Sequence, residues 1–177
     1  MKYRNEEDKC YGITGMAIGI TIWNGEDMLY KLDLDNEASQ YVQFTSDYYF
    51  SGNPGIPAKE SWHYTLKHYQ MTVGMLIGNM MCRSLKKNDI NYSKVKKALY
   101  KSIAEEGKRT CQLEEDEIKT MFDDTYRYLE QVFSNRSVRD IANDFAKKLQ
   151  ESRTLSNYEV KALLGMLQML YTIYYPI

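Results

Sequence analysis

GITGMAIGITIW, residues 12–23, sets Met16, Ile18, Ile20 and Ile22 on one side of the chain and Gly15, Ala17, Gly19 and Thr21 on the other. Successive side chains of a strand point to opposite faces, so this alternation is the period of a half-buried strand. Asn24-Gly25-Glu26-Asp27 follows as a turn signal, and Met28, Tyr30, Leu32 and Leu34 resume the alternation. The stretch from Gly12 to Asp35 therefore reads as a β-hairpin. Val42, Phe44, Tyr48 and Phe50 repeat the period and add a third strand. Two or three strands are not stable alone, so helices must cover one face of this sheet.

The segment Gly52-Asn53-Pro54-Gly55-Ile56-Pro57 ends the pattern with turn formers, and the period then becomes helical. Trp62, Leu66, Tyr69, Val73, Leu76 and Met80 recur at steps of three and four, predicting a helix from Lys59 to Lys87. A shorter helix is expected from Ser93 to Glu106, with Val95, Ala98, Leu99 and Ile103 inward and Gly107 ending it. Glu114 to Phe133 carries Ile118, Met121, Phe122, Thr125, Leu129 and Val132 on one side behind an acidic first turn. Ser137 to Gln150 repeats the design with Val138, Ile141, Ala142, Phe145 and Leu149.

The last helix, Ser156 to Tyr175, opens with a capping box of Ser156 and Glu159, and Pro176 lies beyond its end. Val160, Leu163, Leu164, Leu167, Leu170, Tyr171 and Tyr174 form one apolar stripe, and Ala162, Met166, Met169 and Ile173 a second. A helix apolar over so much of its circumference must be surrounded by its own domain or by a partner chain. The expected architecture is α+β: a small N-terminal antiparallel β-hairpin or three-stranded sheet packed on a bundle of about five helices. The whole chain, 1–177, reads as a single domain, β-rich over 10–50 and helical over 59–175.

A chain of 177 residues buries enough surface for a core without disulfide or metal staples. Its net charge of -1 argues against a surface built throughout for nucleic acid or anionic membrane. No apolar run has the length to span a bilayer, and the charged start MKYRNEEDKC is unlike a signal peptide, so a soluble cytoplasmic protein is expected. Cys10, Cys82 and Cys111 are odd in number and scattered, which suits reduced thiols rather than zinc or a redox pair. The sequons at Asn91 and Asn135 read instead as helix entries.

Glu60 and His63 form an E-x-x-H on one helix face, the element of a carboxylate-bridged metal site. Such a site needs more ligands than this one motif offers, so neither a metal nor another cofactor is expected. His68, Thr72, Asn79 and Arg83 make a polar ladder along the same helix, suited either to a ligand or to the boundary of a core. Gly74 and Gly78 in the same helix, flanked by methionines, permit close approach of another element. Gly12, Gly15 and Gly19 lack the Lys-Ser/Thr of a phosphate loop and read as small residues that let a helix lie close on the sheet.

Charge is segregated: from Arg83 to Arg109 there are nine basic residues against three acidic ones, and Lys94, Lys97 and Lys101 share a helix face that could meet phosphates. No catalytic residues can be assigned, because no nucleophile is paired with a base by any spacing. The favoured expectation is a non-catalytic interaction protein, a homodimer or larger, or else binding another protein, with Met166, Met169, Ile173 and Tyr174 at the contact. The alternatives are an enzyme whose pocket gathers residues distant in sequence, and a protein that binds nucleic acid weakly through the 83–109 patch.

Overall fold

The stretch that reads as the first strand is a helix. In a computed structural model, which describes residues 2–49, 58–86 and 92–174 and, for 58, 92 and 168–174, the backbone alone, helix α1 spans Glu6–Thr21. Its N-cap is Asn5, whose side chain accepts the Asp8 N–H at 2.8 Å, and Glu6, Glu7 and Asp8 place negative charge in the first turn. Between Cys10 and Ile20 every residue except Met16 is buried. A helix enclosed on all sides carries no amphipathic period of 3.6. What remained visible was a chance alternation of isoleucines with small residues.

Those small residues seat α1 on helix α2, Ala58–Ser84. A Cβ built on Gly15 would lie 2.2 Å from the Gly78 carbonyl oxygen, and one on Gly19 would lie 2.1 Å from that of Gly74. Gly15 and Gly19 thus face Gly78 and Gly74, and two backbones touch where side chains would normally separate them. Small residues at four-residue spacing are what such close crossing requires. The spacing of Gly74 and Gly78 marks them for close approach, as the structure shows, but the glycines of residues 12–19 meet that helix from within a helix of their own rather than from a sheet.

The predicted turn residues 24–27 cap α1 instead of joining strands. Asn24 takes a left-handed conformation (φ 50) and the Gly25 N–H returns to the Ile20 carbonyl at 3.2 Å. A short 3₁₀ turn, Glu26–Met28, then leads into strand β1, Leu29–Asp33. Strand β2 covers only Val42–Phe44, after which Ser46–Tyr49 forms another 3₁₀ turn. Phe50 and the turn at 52–57 lie outside the described residues.

The sheet is three-stranded and antiparallel, in the order β2-β1-β3. Its third strand, β3, is Thr154–Ser156, drawn from the far end of the chain, with Leu32 opposite Leu155. Leu29, Leu32, Val42 and Leu155 turn into the core. Three residues are too few to display a period, so β3 had no signature to read. The connection is held by Arg153, left-handed at φ 61: its N–H caps the preceding helix through the Leu149 carbonyl, and its guanidinium binds Asp35 and Glu6.

The remaining helices follow their stripes. Helix α3 is Tyr92–Cys111, α4 is Glu115–Ser134, α5 is Arg136–Ser152 and α6 is Asn157–Tyr174. Ile118, Phe122, Thr125, Leu129 and Val132 of α4 and Val138, Ala142, Phe145 and Leu149 of α5 are buried, as their spacing requires. Asn135 caps α5 through the Ser137 N–H, and Ser156 with Glu159 caps α6.

Gly107 does not end α3. The helix passes through it and stops at Cys111, before the left-handed Gln112, because Gly107 makes room for the Tyr69 hydroxyl, 2.4 Å from where its Cβ would be. Val95, expected inward, is 40% exposed. The α+β class thus stands, with six helices among the described residues and a sheet smaller and differently assembled than its pattern implied. The 10–50 segment expected to be β-rich is helical up to Thr21. Among the described residues, no helix is long and apolar enough to cross a membrane.

Candidate functional site

The polar ladder of α2 divides into two pairs. Arg83 donates from Nε and Nη2 to the two carboxylate oxygens of Asp8, at 3.0 and 2.6 Å, and its guanidinium lies over the Tyr3 ring. Asn79 donates from Nδ2 to the Tyr3 hydroxyl at 2.9 Å. Asp8 and Asn79 are both buried, and the Arg4 N–H also binds Asp8 at 3.0 Å. Burial pushes the Asp8 carboxyl up, but the Arg83 hydrogen bonds, the Arg4 N–H and the charges of both arginines outweigh it and hold the carboxyl below its ordinary range.

His68 and Thr72, two turns earlier, face the sheet end. The Thr72 hydroxyl bonds the His68 carbonyl at 3.0 Å and lies 3.5 Å from the Tyr48 hydroxyl, while the Tyr48 ring sits 4.4 Å from the His68 imidazole and stacks on Phe44 at 3.7 Å. Burial lowers the His68 pKa, against the raising effect of the Glu106 charge. A cleft of about 190 Å³ lies beside this cluster, walled by Tyr3, Tyr41, Phe44 and Thr72. Arg83, Asn79 and Thr72 therefore spend hydrogen bonds within the chain, on α1 and on the aromatic cluster. Asp8 and Tyr3 carried no periodic signal. Only the Asn5 cap and acidic first turn, which mark a helix start, could have drawn attention to them.

Helix α6 presents two different faces. Val160, Leu163, Leu164 and Leu167 are buried, whereas Tyr158, Ala162 and Met166, spaced by four, are exposed. Tyr158 is 82% and Met166 44% accessible, and nothing lies within 4 Å of a Cβ built on Gly165. The side chains of Met169, Ile173 and Tyr174 lie outside the described residues. Between Tyr158 and Leu167, then, α6 is covered on one side only among the described residues.

Lys94, Lys97 and Lys101 come together along a cleft of about 510 Å³, joined by Lys108 and floored by Ala98 and Ala104. Acidic neighbours offset this charge. Lys101 lies 3.9 Å from Glu105, and Lys108 pairs with Glu115, which also accepts the Tyr100 hydroxyl at 2.7 Å.

Glu60 and His63 are both exposed, and the His63 ring meets the Trp62 ring edge-on, with centroids 5.5 Å apart. Among the described residues, no group of three or more His, Cys, Asp or Glu side chains is placed to hold a metal ion. Cys10, Cys82 and Cys111 are buried free thiols, and burial pushes the Cys10 thiol up to about 11. A buried thiol with a raised pKa is a poor nucleophile. No family model, curated protein or solved structure matches this chain.

Proposed function

We propose that the protein is a non-catalytic interaction domain that associates with itself, as a homodimer or larger, through the exposed side of α6. The observation that carries this reading is the stripe of Tyr158, Ala162 and Met166, which lies in the open beside the buried stripe of the same helix. Sequence spacing continues that stripe toward Met169 and Ile173, so the contact would centre on Met166, Met169, Ile173 and Tyr174. Single exposed apolar residues are ordinary, but a row of them on one helix is the surface that partners cover. Three buried free thiols suit a reducing compartment, and the proposal places the protein in the cytoplasm.

Light scattering coupled to size exclusion tests this reading directly. The wild type is expected to elute as a dimer or larger at micromolar concentration. Met166→Lys with Met169→Lys should give a monomer with unchanged circular dichroism, since charges would enter the contact while Leu163 and Leu167 remain packed. A monomeric wild type overturns the proposal, and so does a double variant that keeps its oligomeric state.

A second reading has one observation in its favour: Lys94, Lys97 and Lys101 line a single cleft. In this reading a polyanion such as nucleic acid binds weakly and without sequence preference, because neighbouring carboxylates cancel part of the charge. Affinity should fall steeply with salt as counterion release loses its advantage. Reversing the three lysines to glutamate should abolish binding in a filter or anisotropy assay, and binding that survives the reversal removes this reading.

A further inference from the structure

A cleft of about 450 Å³ opens between α2, α4 and the turn that follows α1. Its apolar surface comes from Trp23, Leu66, Leu113 and Met121. Helix α4 supplies the acidic rim: Asp116, Glu117 and Asp124 line the same cleft and are exposed. No basic residue is among the described residues that line it. Asp124 lies 3.4 Å from Arg127 in an exposed pair within α4, an interaction that water largely screens. The cleft volume is within the range of about 300–1,000 Å³ of small-molecule sites, and apolar walls with a few polar groups are their usual make-up.

We infer that this cleft binds a small organic amine: an apolar, preferably aromatic, body lodged against Trp23, Leu66 and Met121, with a protonated nitrogen held at the Asp116, Glu117 and Asp124 rim. Charge complementarity selects this occupant. Three carboxylates beside an apolar surface repel an anion and give a neutral ligand no electrostatic advantage, whereas an ammonium gains from all three. An indole in the wall adds the aromatic surface on which cations are favoured. The site is separate from the exposed side of α6, and its occupancy does not depend on self-association there.

Titration calorimetry on the full chain with three probes of one shape and different charge tests the inference: 2-phenylethylamine, 2-phenylethanol and 3-phenylpropionate. The amine should bind about tenfold more tightly than the alcohol, and the carboxylate more weakly than either. In Asp116→Asn with Asp124→Asn the amine should lose most of this advantage while the alcohol is unaffected. Both positions are exposed, and the box that caps α4 is made by Glu114 and Glu117, whose carboxylate accepts the Glu114 N–H at 2.9 Å, so the fold is retained. Glu105→Gln, in the lysine cleft, should leave all three probes unchanged. High salt should erase the difference between amine and alcohol, since the rim is open to screening. The inference is overturned if the amine gives no binding at millimolar concentration, if amine and alcohol bind alike at low salt, or if the amine's advantage survives the double variant. Amine binding that weakens as protein concentration rises would mean that a second copy fills the cleft, and would overturn it too.

Discussion

Replacing Gly15 or Gly78 with alanine is expected to destabilise the protein by about 2–3 kcal/mol, while the same change at Gly165 stabilises it. A methyl on Gly15 would stand 2.2 Å from the Gly78 carbonyl oxygen, and one on Gly78 would stand 2.1 Å from that of Gly15. Neither obstacle is a side chain that can swing away. Both are helix backbone, so α1 and α2 must move apart along their crossing and lose packing around Ile18 and Cys82, which are fully buried. Overpacking of a core costs typically about 1–3 kcal/mol and more where the neighbour cannot yield, so a backbone clash at 2.1 or 2.2 Å sets the gross cost of either change at about 3–4 kcal/mol, of which alanine regains at most about 1 kcal/mol through helix propensity. The net loss corresponds to a melting point lower by roughly 5–10 °C in a chain of this size. Gly165 meets nothing within 4 Å, so there the propensity gain of about 0.5–1 kcal/mol stands alone. Urea denaturation of the three single variants measures both signs, and equal effects at Gly15 and Gly165 would contradict the backbone contact.

Removing the Asp8 carboxylate is the second large effect. Asp8→Ala should cost about 3 kcal/mol, at the lower end for breaking a buried ion pair, because Arg83 retains 19% side-chain exposure and water can reach part of it. Changing Arg83 to methionine in the same chain should recover part of that loss by removing the stranded charge. The pair also sets a pH dependence. The folded Asp8 carboxyl is held below its ordinary value of 3.8, so the unfolded chain binds its proton more readily. The stabilisation is complete above the ordinary value and is lost as pH falls from there through the lowered folded value. Asp35 and Glu115, both exposed, are also lowered, by hydrogen bonds from Arg153 and Lys108, and there pairing contributes little; the half-buried Asp33 and Glu159 are lowered by hydrogen bonds from Lys31 and Ser156. Denaturation of wild type and Asp8→Asn between about pH 2 and pH 7 separates the terms. The two stabilities should converge toward acid, and a constant difference across the range would rule out this linkage.

The candidate surfaces were legible to different depths. The three lysines of α3 share a face by their spacing alone, and the structure indeed gathers them in one cleft. Met166 was marked by the excess apolar width of the last helix, and it is exposed. The polar ladder was visible as a row, but its partners were not: Asp8 lies 75 residues from Arg83, and no local period connects them. The acidic cleft was equally hidden, since its apolar wall joins Trp23 and Leu66 to residues of α4 that are remote in the chain.

The sequence by itself determined the helices that lie at the surface. In α4 and α5 one side meets the core and the other meets water, and that contrast writes a 3.6-residue period directly into the chain. Helix caps at Asn135 and Ser156 were likewise local chemistry, complete within a few residues. Tertiary structure alone decided the centre. Helix α1 is enclosed, so burial imposed no period on it, and its glycines acquire meaning only against Gly74 and Gly78 of α2. Strand β3 exists because β1 offers an edge on which three residues can pair. Where a residue's environment is set by water on one side and core on the other, its neighbours in sequence reveal it. Where that environment is another segment on every side, only the packed chain does.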